Sequence, residues 1–281
     1  MSFSIVHLSD PHFGENVDLQ KIVAIEHLVP DLQPDAVVVT GDLTERARHG
    51  EFQAACGWIR ELERTAPVVV IPGDHDMQWW THPIGAADVH KVFGNYVKYF
   101  GPVLNPTVQF TEAIIAGATT THGLQWRLAV RDPREAVARG RLDRSEAQRL
   151  RDIFKQAEHH VARVAVVHHN LLDGERVGLR NAMQARQWLV EAQVDLVLCG
   201  HAHKDHAEVF NGVVVSTAGT VSTRVPENVD ASFHRIVIEN DAVQVELYRW
   251  ERDRGHFRRT DVFAFARQQA DRGAKVTAGS V

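Results

Sequence analysis

The chain has 281 residues, of which 44% are hydrophobic and 24% charged, a mixture typical of one globular domain with a sizeable core. Its formal net charge of −5 argues against general affinity for nucleic-acid polymers or anionic membranes. The two cysteines form no CxxC pair, the N-terminus lacks a signal-peptide pattern, and no apolar run approaches the ~20 residues of a membrane span. We therefore expect a cytoplasmic protein.

Short runs rich in β-branched residues recur along the chain and predict buried strands. They are Phe3 to Leu8, Ala36 to Val39, Val68 to Ile71, Val164 to Val167, Val194 to Leu198 and Val213 to Val215. Between them, residues 18–29, 51–64, 144–160 and 182–192 have the apolar spacing of amphipathic helices. Asp143 and Glu146 have the spacing of a capping box at the start of the third of these helices. The alternation of strands and helices predicts an α/β fold.

The remaining stretches are less regular. Residues 77–125 show weak periodicity and scattered aromatic, glycine and proline residues, and we interpret them as a substrate-side insertion or lid. Residues 233–238 and 243–250 predict a β-hairpin. We expect a single domain over residues 1–260, followed by a C-terminal tail over 261–281 that is partly disordered.

Residue types that commonly bind metals come directly after five of the predicted strands. The clusters are Asp10-Pro-His12, Gly41-Asp42, Gly73-Asp74-His75-Asp76, His168-His169 and Gly200-His201-Ala-His203. Ligands of α/β sheets bind beyond the carboxyl ends of the strands, so these clusters should converge. Crowded carboxylates repel one another unless a cation lies among them, and neutral imidazole is a good metal ligand. Oxygen and nitrogen donors without cysteine favour Fe, Mn, Zn or Co over Ca or Mg.

In their order, spacing and strand context, these clusters resemble the signature of the calcineurin-like metallophosphoesterase family over most of residues 1–225. Residues 138–150 are also similar to the segment before the fourth motif in the cyclic-nucleotide-phosphodiesterase-like branch. The resemblance implies a four-layer α/β/β/α sandwich of two mixed β-sheets flanked by helices, with the metals at one end.

Residue roles follow from the resemblance. A first metal would be held by Asp10, His12 and His203, a second by Asp74, His168 and His201, with Asp42 as the bridge. The ions would be two divalent or mixed-valence transition metals, Fe, Mn or Zn. His75 would protonate the leaving group. Asp76 would orient the His75 ring or cap a helix. Asp74 departs from the family, which has asparagine there, and Asn170 stands where many members have proline.

The implied activity is that of a binuclear metal-dependent phosphoester hydrolase, acting by in-line attack of a metal-bridging hydroxide. The branch favours a phosphodiesterase acting on a small diester of the cyclic-nucleotide or glycerophosphodiester type. Two alternatives stay open: a phosphomonoesterase or pyrophosphatase of the same fold, and a non-catalytic metal-binding regulatory protein. We expect a small phosphoester substrate as partner, and neither a nucleic-acid polymer nor a membrane. The oligomeric state is left open, and a homo-oligomer is one of the alternatives.

Four further residues have two alternative roles each. His169 would either touch the substrate or be structural. Trp79, Trp80 and His82 would either line a substrate pocket or pack within the protein.

Overall fold

The computed structural model describes residues 2–78, 92–121, 139–171 and 178–267. Within these ranges the chain forms twelve strands in two six-stranded sheets, together with five helices. The strands are β1 (Phe3–Leu8), β2 (Ala36–Val39), β3 (Val68–Val70), β4 (Thr107–Gln109), β5 (Ala113–Gly117), β6 (Ala162–Val166), β7 (Leu196–Cys199), β8 (His206–Phe210), β9 (Val213–Thr217), β10 (Ser232–Ile238), β11 (Ala242–Glu251) and β12 (His256–Ala266). The helices are α1 (Leu19–Leu32), α2 (His49–Glu63), α3 (Gly94–Phe100), α4 (Arg144–Lys155) and α5 (Ala182–Glu191).

Each sheet mixes parallel and antiparallel pairs. The first has the strand order β12-β11-β10-β1-β2-β3, in which β1, β2 and β3 are parallel. The second has the order β4-β5-β6-β7-β9-β8, in which β5, β6, β7 and β9 are parallel. The parallel strands form one side of the first sheet, with β3 at its edge, and the middle of the second. The loops after β1, β2, β3, β6 and β7 therefore gather where ligands of α/β sheets bind.

Three apolar clusters define the layers. Ile5 and Val38 of the first sheet pack against Val164 and Leu196 of the second, in the core between the sheets. A second cluster joins the outer face of the first sheet to α1, α2 and α3, and a third joins the outer face of the second sheet to α4 and α5. Because successive side chains of a strand point to opposite faces, each sheet contributes apolar side chains both to the core between the sheets and to its helix-covered outer face. The architecture is therefore the four-layer α/β/β/α sandwich that the resemblance implied.

The helix boundaries differ from the sequence prediction at their ends. The helix predicted over 144–160 ends at Lys155, because residues 156–161 turn into β6 through bonds such as the Gln156 N–H to the Ile153 carbonyl. The capping box is wrong as well. The Asp143 side chain makes no capping hydrogen bond, and the Glu146 carboxylate instead pairs with Arg149 at 3.1 Å. Local sequence spacing predicted the helix, and tertiary contacts decided its ends.

Two predicted boundaries need correction. Within the stretch 77–125, residues 92–121 are built into the domain, since α3 packs on α2 and β5 is a buried inner strand of the second sheet. A lid over that part is therefore wrong, while residues 79–91 and 122–125 lie outside the described residues. The domain also extends past residue 260, because β12 pairs with β11 as far as Ala266. Of the predicted tail, residues 268–281 lie outside the described ranges.

Across the described ranges, none of the helices combines the length and the apolar character that a membrane span requires.

Candidate metal centre

Four side chains from three loops form a first group at the sheet ends. They are Asp10 and His12 after β1, Asp42 after β2 and His203 after β7, with one ligand atom from each lying within 4.8 Å of the others. His203 Nε2 lies 3.0 Å from His12 Nε2 and 3.3 Å from Asp10 Oδ1. The Nδ1 of His203 faces the Arg224 carbonyl at 2.7 Å, which assigns its proton to Nδ1. The Nε2 lone pair of His203 is thus directed into the group.

A second group shares Asp42 with the first. Its other members are Asp74 after β3, His168 after β6 and His201 after β7, again with ligand atoms within 4.8 Å. His168 donates from Nδ1 to the Thr40 carbonyl at 2.6 Å, so its Nε2 presents a lone pair. That Nε2 lies 3.1 Å from Asp74 Oδ1, which itself lies 3.0 Å from His201 Nδ1. His201 therefore faces the group through Nδ1, whereas His12, His168 and His203 use Nε2.

The two groups together fit a pair of cations. Lone pairs and carboxylate oxygens face each other at about hydrogen-bond distance, an arrangement that is repulsive without positive charge between them. Asp10 Oδ1 is buried and has no hydrogen-bond partner within the described ranges. Burial by itself lowers the pKa of His168, but the Asp42 and Asp74 carboxylates raise it well above its ordinary value. Imidazole and carboxylate donors without sulfur suit transition-metal ions, and Asp42 is placed to be shared by two of them.

The backbone at this site is strained. Asp10, His12, Asp42, His201 and His203 all adopt left-handed φ angles, between 46° and 66°. Such a conformation costs a residue other than glycine roughly 1–3 kcal/mol and is concentrated at functional sites. Each of these loops turns sharply at a strand end and thereby points its side chain back toward the other loops. The fold thus maintains five unfavourable conformations in order to bring these side chains together.

Asp76 connects two loops of the site. Its buried carboxylate accepts hydrogen bonds of 2.9–3.1 Å from the backbone N–H groups of Gly73, Leu43 and Thr44 and from the Thr44 hydroxyl. Burial, reinforced by the Asp42 charge, raises the pKa of Asp76 to about 7. The His75 ring is held elsewhere, by Nδ1 donating to the Glu45 carbonyl at 2.8 Å. The orienting and helix-capping roles predicted for Asp76 are therefore both wrong, because its acceptor atoms are committed to the loops after β2 and β3.

A chain of buried hydrogen bonds stands behind Asp10. Ser9 donates to the Asp10 carboxylate, the Thr40 hydroxyl donates to Ser9, and the chain continues into the core between the sheets through His7, Ser216 and His234. Burial is the main cause that lowers the pKa values of His7 and His234, so both rings are neutral. With one proton on each ring, every bond of the chain donates toward Asp10, which fixes the orientation of that carboxylate.

A third cluster contains residues that sequence reasoning missed. Ligand atoms of His12, Glu45 and His75 lie within 4.8 Å of one another. The Arg224 guanidinium lies against all three: its Nη1 is 3.0 Å from His75 Nε2, 3.4 Å from Glu45 Oε2 and 3.5 Å from His12 Nδ1. Glu45 could have been found as an acidic residue in the same loop as Asp42, whereas Arg224 belongs to no recognisable motif. A side-chain cation already satisfies this cluster, which argues against a third metal there.

Of the four further residues for which the sequence left two roles open, the structure describes only His169. His169 is fully buried, with its Nδ1 2.9 Å from the Thr120 hydroxyl and its ring 4.5 Å from the His201 ring. Its ring thus packs against His201 of the second group, and the choice between substrate contact and a structural role remains a prediction. Trp79, Trp80 and His82 lie outside the described residues. All seven predicted ligands are brought together, and their binding of metal remains a prediction.

Comparisons with known proteins agree with this geometry. The sequence model of the family described as calcineurin-like phosphoesterase matches residues 3–205. A transmembrane protein with a metallophosphoesterase domain, from Danio rerio, is 26% identical over 103 residues, which are 35% of this chain and 23% of that protein. Because the matched residues span only about a quarter of that relative, its membrane location describes that protein alone.

Solved structures show the same fold at low sequence identity. A purple acid phosphatase from yellow lupin (Lupinus luteus) seeds has a TM-score of 0.69 at 13% identity, covering 95% of this chain and 54% of that one. A dimetal phosphatase from Danio rerio has a TM-score of 0.66 at 12% identity, covering 94% and 98% of the two chains. The chain belongs to the calcineurin-like phosphoesterase family, and its residues form the two groups of metal-ligand type described above.

Proposed function

We propose that this protein is a binuclear metal-dependent phosphoester hydrolase whose substrate is a small phosphodiester, of the cyclic-nucleotide or glycerophosphodiester type. The observation that carries the proposal is the position of Asp42, whose carboxylate belongs to both groups. The first ion would be bound by Asp10, His12 and His203 and the second by Asp74, His168 and His201, with Fe, Mn or Zn as the metals. When bound, such ions lower the pKa of water toward neutrality and offset the charge that develops on the phosphoryl oxygens.

The preference for a diester rests on the charge of Asp74. A carboxylate at this position adds a negative charge where a neutral asparagine would add none. Asp74 is nearly fully buried, and the positive charge of its histidine neighbours keeps its pKa well below the ordinary value despite burial. A diester carries one negative charge and a monoester up to two, so the additional carboxylate penalises the monoester more.

His75 is the proposed proton donor to the leaving group. It is less deeply buried than His12 and His168, and it belongs to neither of the groups that contain Asp42. Its Nδ1 donates to the Glu45 carbonyl, which orients the ring, and its Nε2 accepts from Arg224 Nη1 at 3.0 Å. His75 would therefore transfer a proton from Nε2 when Nη1 of that guanidinium bonds elsewhere.

Metal analysis and hydrolysis assays on matched variants test this function. Protein expressed with added Mn or Fe should contain two transition-metal ions per chain and hydrolyse bis(4-nitrophenyl) phosphate faster than 4-nitrophenyl phosphate. Asp42→Asn should lose both ions and the activity, because the shared carboxylate contributes to both sites. His256→Asn, which changes an exposed histidine at the start of β12, is the control and should retain both. Two bound ions without turnover of either ester would favour the regulatory alternative. Faster hydrolysis of the monoester would favour a phosphomonoesterase.

A further inference from the structure

Arg224 is held at the site by its backbone as well as by its side chain. Its carbonyl oxygen accepts the Nδ1 proton of His203, and its N–H donates to the Ser222 hydroxyl at 3.2 Å. The chain on either side of the guanidinium is therefore fixed relative to a proposed metal ligand. The position of this cation is set by the geometry of the site, unlike that of a surface arginine on a flexible stem.

The guanidinium retains capacity for an anion. Within the described part of the chain, all side-chain hydrogen bonds of Arg224 are made by Nη1, and Nε and Nη2 have no partner there. Its contacts with the two Glu45 oxygens are long, at 3.4 and 3.5 Å, so that carboxylate does not form a tight bidentate pair with it. The Arg224 side chain is 33% exposed, whereas Glu45 is 12% exposed. The side chain that carries the unused donors is thus partly exposed beside the metal groups.

The charge balance of the site indicates what the unused N–H groups of Arg224 bind. Two divalent ions would bring four positive charges, and the carboxylates of Asp10, Asp42, Asp74 and Glu45 would cancel them. The anionic substrate would then meet a centre with no net attraction. Arg224 adds a permanent positive charge in contact with the cluster, and guanidinium is the side-chain group best matched to phosphoryl oxygens.

We propose that Arg224 binds the non-bridging oxygens of the substrate phosphoryl group through its Nε and Nη2 N–H groups. This inference deepens the proposed function and rests on it for the identity of the substrate. Arg224 also contacts His75 Nε2, so the phosphoryl group it binds lies beside the proposed proton donor. It restores the attraction for a singly charged diester that the Asp74 carboxylate removes.

The test compares Arg224→Ala, Arg224→Gln and Arg224→Lys with Arg254→Ala, an exposed arginine of the β11–β12 turn, as the matched control. In Mn-loaded protein, KM for bis(4-nitrophenyl) phosphate should rise at least about tenfold in the Ala and Gln variants, the range expected for a hydrogen bond to a charged group. The Lys variant should recover part of the loss, and metal content should be unchanged. Titration calorimetry with inorganic phosphate should show the same order of affinities.

Several outcomes would overturn the inference. A guanidinium that only holds His75 would leave phosphate affinity unchanged and lower kcat for poor leaving groups alone. Loss of metal from Arg224→Gln would indicate support of His203 instead. Failure of the proposed function has a different signature, because the parent would then bind phosphate in an Arg224-dependent manner without hydrolysing either ester.

Discussion

The buried His234 should make stability depend on pH in a way that one substitution removes. Burial is the largest cause that lowers the pKa of His234, to about 4 from an ordinary value of 6.5, with the charges of Arg249 and His206 acting in the same direction. Above pH 6.5 the ring is neutral in both the folded and the unfolded chain. As the pH falls from 6.5 toward 4, the unfolded chain takes up a proton that the folded chain does not, so stability is lost over this window.

The magnitude follows from the shift of about 2.5 units. The full linkage is about 3 kcal/mol, of which about 2 kcal/mol is lost between pH 7 and pH 5. His234→Asn removes the titration and retains a donor at the position of Nδ1, which lies 2.7 Å from the Ser216 hydroxyl. The parent should therefore lose about 2 kcal/mol more than His234→Asn over that interval.

Urea unfolding monitored by tryptophan fluorescence at pH 7 and pH 5 measures the difference. Both proteins should be treated with a chelator, so that acid release of metal does not contribute. His256→Asn on the exposed start of β12 is the matched control and should lose as much stability as the parent. If the parent and His234→Asn lost equal stability between the two pH values, His234 would not be held neutral by burial, and the direction assigned to the hydrogen bonds behind Asp10 would be wrong.

Three further predictions concern the site and the end of the domain. Asp74→Asn should weaken the second ion about tenfold and raise the ratio of monoester to diester hydrolysis at saturating metal, and unchanged metal affinity with an unchanged ratio would contradict the charge argument. His75→Ala should slow hydrolysis of an alkyl diester at least about tenfold more than that of a nitrophenyl diester, at constant metal content, whereas equal slowing would indicate a structural role. A chain ending after residue 260 should lose about 3–5 kcal/mol of stability in urea unfolding, because the buried Arg267 lies 3.3 Å from Asp195 and losing one partner of such a pair is costly. A chain ending after residue 267 is its control, because it retains this pair and the whole of β12.

The sequence by itself determined strands β1, β2, β3, β6, β7 and β9, the hairpin of β10 and β11, four of the five described helices and the clusters that follow the strand ends. Strand β1 and the Asp10 and His12 that follow it show why, since a run of β-branched and apolar residues and a D-x-H spacing are both local patterns. The order of these clusters revealed the resemblance to the family. That resemblance in turn predicted the four-layer α/β/β/α sandwich. Those elements required no knowledge of which residues meet across the sheets.

Only the tertiary structure decided which groups surround the ligands. Arg224 reaches His75 across 149 positions of sequence, and no periodicity or spacing connects the two. Asp76 stands beside His75 in the chain, yet its carboxylate bonds Thr44 across 32 positions, because three backbone N–H groups of these loops need an acceptor there. The length of β12 was decided by its pairing with β11, since an exposed edge strand lacks a clear apolar pattern. Hydrogen bonds and ion pairs between distant segments depend on how the two sheets pack, and that information is not local to any part of the sequence.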